Sequence, residues 1–256
     1  LPGQMECAQR CRDYLKGSYL KEPDPARALQ DPLSFRCASA VNGAVWDALA
    51  FVKHYLTIQI NATDDNPCIF YENGSTSVSQ NFETTTLAIG VEMLSIALNH
   101  LSKNICNRLI HLADPAFTGL TRFLTPVEIK TIAYGTIQKV YVMLDAENRS
   151  LANPSSMDFL TVAGGIEDHA SNLPLAASKA LQIVDNLRYM IGIEHAAQAV
   201  DLRAQPFLGR VTSSVYRGFR ETVPFYSEDR NISVDIQKAY NFVSCGQMLR
   251  IINDSL

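Results

Sequence analysis

Gln30 and Arg36 place an amide and a guanidinium six residues apart on one short, turn-like segment, Gln30-Asp31-Pro32-Leu33-Ser34-Phe35-Arg36-Cys37. Pro32 fixes its own φ and biases Asp31 away from helix. The sequence therefore predicts an ordered, non-helical segment opening onto the apolar stretch Val41 to Leu56. A guanidinium held there offers a planar fork matched to a carboxylate; its alternative use is to cap backbone carbonyls. Polar groups gather in three further places. Asn61-Ala62-Thr63-Asp64-Asp65-Asn66-Pro67 packs turn formers ahead of a short apolar run. Gly74 to Gln80 leads into Asn81-Phe82-Glu83-Thr84, and Gly164-Gly165-Ile166-Glu167-Asp168-His169 sets acids and an imidazole after a glycine pair. Loops on a rigid scaffold are favoured places for binding and catalytic groups.

The scaffold that must hold these loops is helical. Between Phe82 and Asn107, Leu87, Val91, Leu94, Leu98, Leu101 and Ile105 recur at alternating steps of four and three, the apolar seam of a long helix packed against near-parallel neighbours. Thr125-Pro126-Val127-Glu128 reads as an N-cap, a proline at the first helical position and a capping-box acid. It predicts a second helix whose core face is Ile129, Ala133, Ile137, Val140 and Leu144. A third is expected from about Leu175 to about Arg203, with Ala180, Val184, Leu187 and Ile191 on one face and Ala196, Ala197 and Ala199 permitting close approach. Helices over Gln4 to Leu15 and Val41 to Leu56 complete a bundle of at least five. The expected class is all-α: one helical domain over 1–256, with a central bundle over 1–203 and a charged tail of shorter surface helices over 204–256.

A chain of 256 residues with 47% hydrophobic and 19% charged side chains can bury a large core. Its net charge of −4 and lack of a Lys/Arg cluster argue against a nucleic-acid partner. No apolar run is long enough to span a bilayer, and Leu1-Pro2-Gly3-Gln4 does not resemble a signal peptide. A reducing, cytoplasmic compartment is expected. Cys7 and Cys11 share a helix face, but no second pair stands at metal-ligand spacing, so they read as packed thiols and no metal is expected.

Taken in order, these segments resemble the C-terminal half of the histidine and aromatic amino acid ammonia-lyase family. Gln30 to Cys37 is similar to the family's Q-D-x-Y-S-x-R-C motif, continued by Val41, Gly43, Ala44 and Asp47. Asn61 to Pro67 is similar to N-x-x-T-D-N-P, and Asn81-Phe82 to the pair that opens the long central helix. Glu167-Asp168-His169 with Ser171 resembles Q-E-D-H-x-S, and Ala196 to Arg203 resembles A-A-Q-x-x-D-L-R. The resemblance spans essentially the whole chain. It implies elimination of ammonia from histidine or an aromatic L-amino acid to give the α,β-unsaturated acid, or, in an aminomutase, its return to the β-carbon. The electrophile implied is 4-methylidene-imidazol-5-one (MIO), formed from an internal Ala-Ser-Gly, with no metal and no nucleotide. By motif position Arg36 would grip the substrate carboxylate, and Gln30 would hydrogen-bond near the electrophile or substrate. Phe82 would pack beside the prosthetic group, Asn66 would lie close to the site, and Glu167 would face the amine or imidazole. The plainer alternatives are a helix-start core residue for Phe82 and a helix N-terminal acid for Glu167. A homotetramer whose sites draw on more than one subunit is also implied.

The sequence departs from the family in specific places. No Ala-Ser-Gly occurs in it; Cys37-Ala38-Ser39-Ala40 lacks the glycine. The electrophile and the loop tyrosine thought to act as base are therefore expected in an N-terminal segment of the same protein, and this chain alone is expected to be inactive. Leu33 stands where the family has Tyr, Glu83 where it has His, Gln80 where it has Gly, and Ile166 where it has Gln. A contrasting reading is an inactive truncated paralogue kept as a helical scaffold or oligomer partner. Histidine leads among substrates on Glu167.

Overall fold

The computed structural model describes residues 1–23, 28–203 and 208–256. Its spine is two long helices, α3 (Ala38–Gln59) and α4 (Thr85–Leu112), with α1 (Pro2–Tyr14) and α2 (Leu33–Arg36) before them. α3 and α4 run antiparallel. Phe35, just ahead of α3, packs on His111 at the end of α4, while Gln59 at the end of α3 donates to the Asn81 carbonyl ahead of α4 at 2.9 Å. α1 crosses α3 at a contact only glycines allow: a Cβ on Gly43 would stand 2.4 Å from the Gln4 nitrogen. The Gly3 N–H, freed at the helix start, donates to Asp47 Oδ1 at 2.8 Å.

Between α3 and α4, Cys68–Phe70 (β1) and Ser75–Ser77 (β2) pair antiparallel, Cys68 opposite Ser77, as the short apolar run after Pro67 turns back on itself. After the single turn α5 (Pro115–Thr118), the bundle is closed by α6 (Ile137–Leu151) and α7 (Leu173–Met190). Leu98, Ala152, Ile183 and Leu187 form its core, with Leu94, Leu101 and Val184 packed around them. Of the seam foreseen on α4, Leu87 and Leu98 are buried and the other four are half-buried. A polar layer crosses the same core. Ser102 donates to Asp145 Oδ1 at 2.9 Å, Asn148 to Ser102 at 3.0 Å, and Asn186 to Asn148 Oδ1 at 2.9 Å. Lys103 reaches Asp145 from the rim.

Several expectations change. The Thr125-Pro126-Val127-Glu128 cap starts no helix: Phe123 and Leu124 both adopt positive φ (58° and 56°), and α6 begins only at Ile137. Packing overrides the local signal there, because Leu124, Ala133 and Tyr134 are buried together with Tyr226. Val140, expected in the core, is exposed; Tyr141 takes that place. Leu33–Arg36 is a helical turn following Pro32, and α4 opens at Thr85, three residues after Phe82. Cys7 is buried but Cys11 is exposed.

The helix foreseen from Leu175 to Arg203 is two helices, α7 and α8 (Ile193–Arg203), separated at Gly192. Gly192 has φ +69°, and a Cβ there would lie 2.1 Å from Leu109 Cδ2. The tail comprises α9 (Arg210–Thr222), α10 (Ile232–Ser244) and α11 (Gln247–Ser255). Its helices are shorter, as expected, yet Phe219, Val223 and Phe242 build a second core with Ala197 of α8. The first four residues of the tail, 204–207, lie outside the described residues. Among the described residues no helix is long and apolar enough to cross a membrane, and no His/Cys/Asp/Glu group could hold a metal ion.

Gly192→Ala combines a left-handed backbone with a collision against a core leucine, and its expected cost is about 2 kcal/mol or more. Thermal unfolding of the variant tests this. An unshifted midpoint would mean the break does not need glycine.

Candidate functional site

The residues singled out in the sequence separate into two groups. At the start of α3, Gln30 and Arg36 are hydrogen-bonded, Arg36 Nη1 donating to Gln30 Oε1, and both side chains are exposed. The turn that carries Arg36 is pinned by Phe35, which stacks on Phe117 with ring centroids 5.2 Å apart and leans on His111. An Arg fork pre-set by an amide and open to solvent is suited to receive a carboxylate. Leu33, the first residue of the same turn, is exposed.

At the other end of the spine stand Asn66, Phe82 and Glu167. Asn66 Oδ1 accepts the Ser79 N–H at 3.0 Å, and Asn81 donates to the Thr63 carbonyl at 3.1 Å, so the Asn61–Pro67 loop and the Gly74–Asn81 loop brace one another. Phe82 follows directly and is 53% exposed, outside the buried core of this chain. Glu167 lies in a loop that begins with Ala163, Gly164 and Gly165, all at positive φ (50°, 68° and 94°). A non-glycine residue in that region is a strained conformation of the kind that collects at functional sites. Glu167 is held by its backbone, which exchanges hydrogen bonds with Val162 (2.8 and 3.4 Å), and its side chain is exposed. It caps no helix, since α7 starts at Leu173.

The Glu167 loop is tied to the Phe82 loop. Thr84 and Ser171 hydroxyls lie 2.9 Å apart, and His169 Nε2 stands 3.1 Å from Thr85 Oγ1 and 3.6 Å from Glu83 Oε1. A third tie lies deeper. Glu92, one turn and more into α4, accepts the N–H groups of Ser155 (2.5 Å) and Ser156 (2.7 Å) and the Ser156 hydroxyl (2.7 Å). Asn172 then donates to the Ser155 carbonyl at 3.1 Å. Burial alone would raise the Glu92 pKa; the donors from Ser155 and Ser156, with Lys179 nearby, outweigh it and hold the carboxyl below its ordinary value. Sequence reasoning passed over Glu92, although a lone acid among the apolar residues of Leu87 to Leu98 was a signal.

One copy of the chain cannot bring the two groups together. α4 has 28 residues, and at 1.5 Å per residue it separates them by about 42 Å. Arg36 lies at its C-terminal end through Phe35 and His111, and Phe82 at its N-terminal end.

Residues 1–221 match the family model described as aromatic amino acid lyase. The chain belongs to the aromatic amino acid lyase family. Among the family's histidine ammonia-lyases it is 34% identical to that of Anaeromyxobacter dehalogenans over 252 residues, covering 96% of this chain and 50% of that protein. It is also 34% identical to the histidine ammonia-lyase of Treponema denticola, covering 99% and 50%. Among solved structures it superposes on the ergothioneine-degrading enzyme ergothionase of Treponema denticola with a TM-score of 0.92 and 60% identity, covering 97% of this chain and 50% of that one. The histidine ammonia-lyase of Trypanosoma cruzi gives a TM-score of 0.88 at 27% identity, covering 99% and 48%. The chain therefore spans about half the length of the lyases it matches.

Glu92→Ala would leave two backbone donors and a hydroxyl without their acceptor, at an expected cost of about 1–3 kcal/mol. Because the folded carboxyl titrates below the unfolded one, its contribution is complete above the ordinary carboxylate pKa and is lost as pH falls through the folded value. Unfolding midpoints measured down an acid series should therefore fall more steeply for the native protein than for Glu92→Gln.

Proposed function

We propose that this chain is the C-terminal half of a carbon–nitrogen lyase that acts on an imidazole-bearing substrate, with ergothioneine the first candidate. The observation that carries this reading is a contrast within one organism. The ergothioneine-degrading enzyme of Treponema denticola is 60% identical to this chain, and the histidine ammonia-lyase of the same organism only 34%. Elimination from L-histidine is the second reading, supported by the breadth of the 34% matches and by Glu167. Aminomutation has less support, because the phenylalanine and tyrosine aminomutase structures stand at 26–27%.

Ergothioneine is the trimethylated betaine of a 2-thiohistidine. Elimination passes a proton from its β-carbon to a base, which the N-terminal segment would supply. It forms the α,β double bond from the C–H electron pair and releases the C–N electron pair with trimethylamine. Arg36, oriented by Gln30, would hold the carboxylate and fix the Cα–Cβ axis. Glu167, exposed on its strained loop, would face the ring, with Asn66 beside it. In the L-histidine reading Phe82 would offer an aromatic face against which the family's electrophile would pack, and no Ala-Ser-Gly in this sequence can form that group, so it would come from an N-terminal segment. In the family that group activates a poorly leaving amine. A quaternary nitrogen has no lone pair to give an electrophile and departs as a neutral amine. The absence of the family's Tyr at Leu33 accords with a substrate that makes different demands on the site.

The separation of Arg36 from Glu167 by the length of α4 supports a site shared between copies. The exposed apolar face of α4, with Ile89, Met93 and Ile96, and Val142 and Met143 on α6 provide surface for a homotetramer.

Full-length protein is expected to release trimethylamine from ergothioneine with growth of an unsaturated-acid absorbance, and to turn over L-histidine at least tenfold less efficiently. Ammonia from L-histidine at the higher efficiency would favour the second reading; turnover of neither would favour the scaffold. For the shared site, Arg36→Ala and Glu167→Ala copies, each inactive alone, should regain a fraction of native activity when co-expressed. No regain would mean that Arg36 and Glu167 do not serve one shared site.

A further inference from the structure

Thr85 lies between Glu83 and His169, and its hydroxyl decides how the three are connected. Its Oγ1 donates to Glu83 Oε1 at 2.6 Å and lies 3.1 Å from His169 Nε2. A hydroxyl has one hydrogen to give. With that hydrogen on the carboxylate, Thr85 can only accept from the imidazole, so Nε2 is the protonated nitrogen of His169. The result is a directed chain, His169 to Thr85 to Glu83, with the Glu83 carboxylate also 3.6 Å from Nε2. Phe159 closes against the ring edge-on, with centroids 5.2 Å apart.

The chain joins segments more than eighty residues apart in sequence, and its ends flank the two candidate groups. Glu83 follows Phe82, and His169 lies two residues after Glu167. The Glu167 loop has few supports of its own. Its entry is three residues at positive φ, its one backbone bridge is Val162 to Glu167, and 161–170 are exposed throughout. The deeper tie, Glu92 to Ser155 and Ser156, holds the preceding loop and does not reach Glu167, and the Thr84–Ser171 hydroxyl pair at 2.9 Å ties the loop only at its far end, four residues after Glu167. We propose that Glu83, Thr85 and His169 form a positioning latch that keeps Glu167 in register with Phe82 during turnover. The latch rests on the lyase reading above for its effect on rate, but its geometry does not depend on which substrate is used.

Its test has two arms on the full-length protein. In the first, hydrogen–deuterium exchange without substrate is followed in peptides covering 163–171. Glu83→Ala and Thr85→Val should each exchange faster there than the native protein, while peptides of α4 beyond its first turn and of α7 stay unchanged. In the second, kinetics are read on whichever substrate the native protein turns over. Glu83→Ala is expected to lower kcat/KM about 10–100-fold, chiefly through kcat, with the thermal midpoint unmoved. Glu83→Gln, which keeps an acceptor for Thr85, should recover most of that loss. The double variant Glu83→Ala/His169→Ala should be no worse than the more damaged single variant, as expected of residues acting as one unit. Unchanged exchange at 163–171, multiplicative losses in the double variant, or losses that merely follow the thermal midpoint would overturn the latch. If the native protein turns over neither ergothioneine nor L-histidine, the lyase reading fails, and the exchange arm alone decides the latch.

Discussion

Hydrogen bonds running from Asp145 through Ser102 and Asn148 to Asn186 fix the register of α4, α6 and α7, and the placement of both site groups depends on that register. Apolar seams attract helices without fixing their axial position well, since Leu, Ile and Val surfaces slide with little loss. A buried amide or hydroxyl is different, because a shift of one turn leaves it unpaired in a low-dielectric interior. Ser102 and Asn148 are fully buried, so the layer tolerates one alignment. With α4 held there, its N-terminus presents the Phe82 loop and its C-terminus supports the turn bearing Arg36.

A second buried polar cluster does comparable work nearer the tail. Tyr141 of α6 donates to Glu194 of α8, and His195 Nδ1 lies 3.2 Å from the same carboxylate oxygen. Burial would raise the Glu194 pKa, but these two partners outweigh it and hold the carboxyl below its ordinary value. Gln198, one turn on, accepts the Tyr226 N–H at 3.0 Å and donates to the Tyr226 carbonyl at 3.2 Å, which fixes the loop between α9 and α10. The interior is thus apolar in bulk and aligned by a few polar cross-links.

Much of the scaffold was legible in the sequence. The four-and-three spacing from Leu87 to Ile105 gave α4 and its buried face, because a helix face is a local, periodic property. The Thr125-Pro126-Val127-Glu128 signal failed for a non-local reason: Leu124 and Tyr134 gain more from burial against Tyr226 than the segment would gain from a helical turn. The break at Gly192 was hidden for a similar reason, since the close approach of Leu109 that leaves no room for a Cβ there comes from more than eighty residues away. For the site, the types of Gln30, Arg36, Asn66, Phe82 and Glu167 stood in recognisable motifs. Their division between two ends of a 42 Å rod (about 1.5 Å for each of 28 residues) could not be read from order along the chain. The ties of Glu92 to Ser155 and of Thr85 to His169 were equally invisible, because they pair residues whose separation carries no period.

The bend at Gly192 has an effect on how the molecule comes apart. α7 fills the bundle core with Ile183 and Leu187, and α8, after a single left-handed residue, fills the C-terminal core with Ala197. One continuous stretch of backbone is therefore shared by two apolar clusters, which places them in series: loosening either removes a wall from the other. Local breathing at the tail should be felt as far as Leu98, through this stretch and through the Tyr240–Asp185 hydrogen bond that joins α10 to α7.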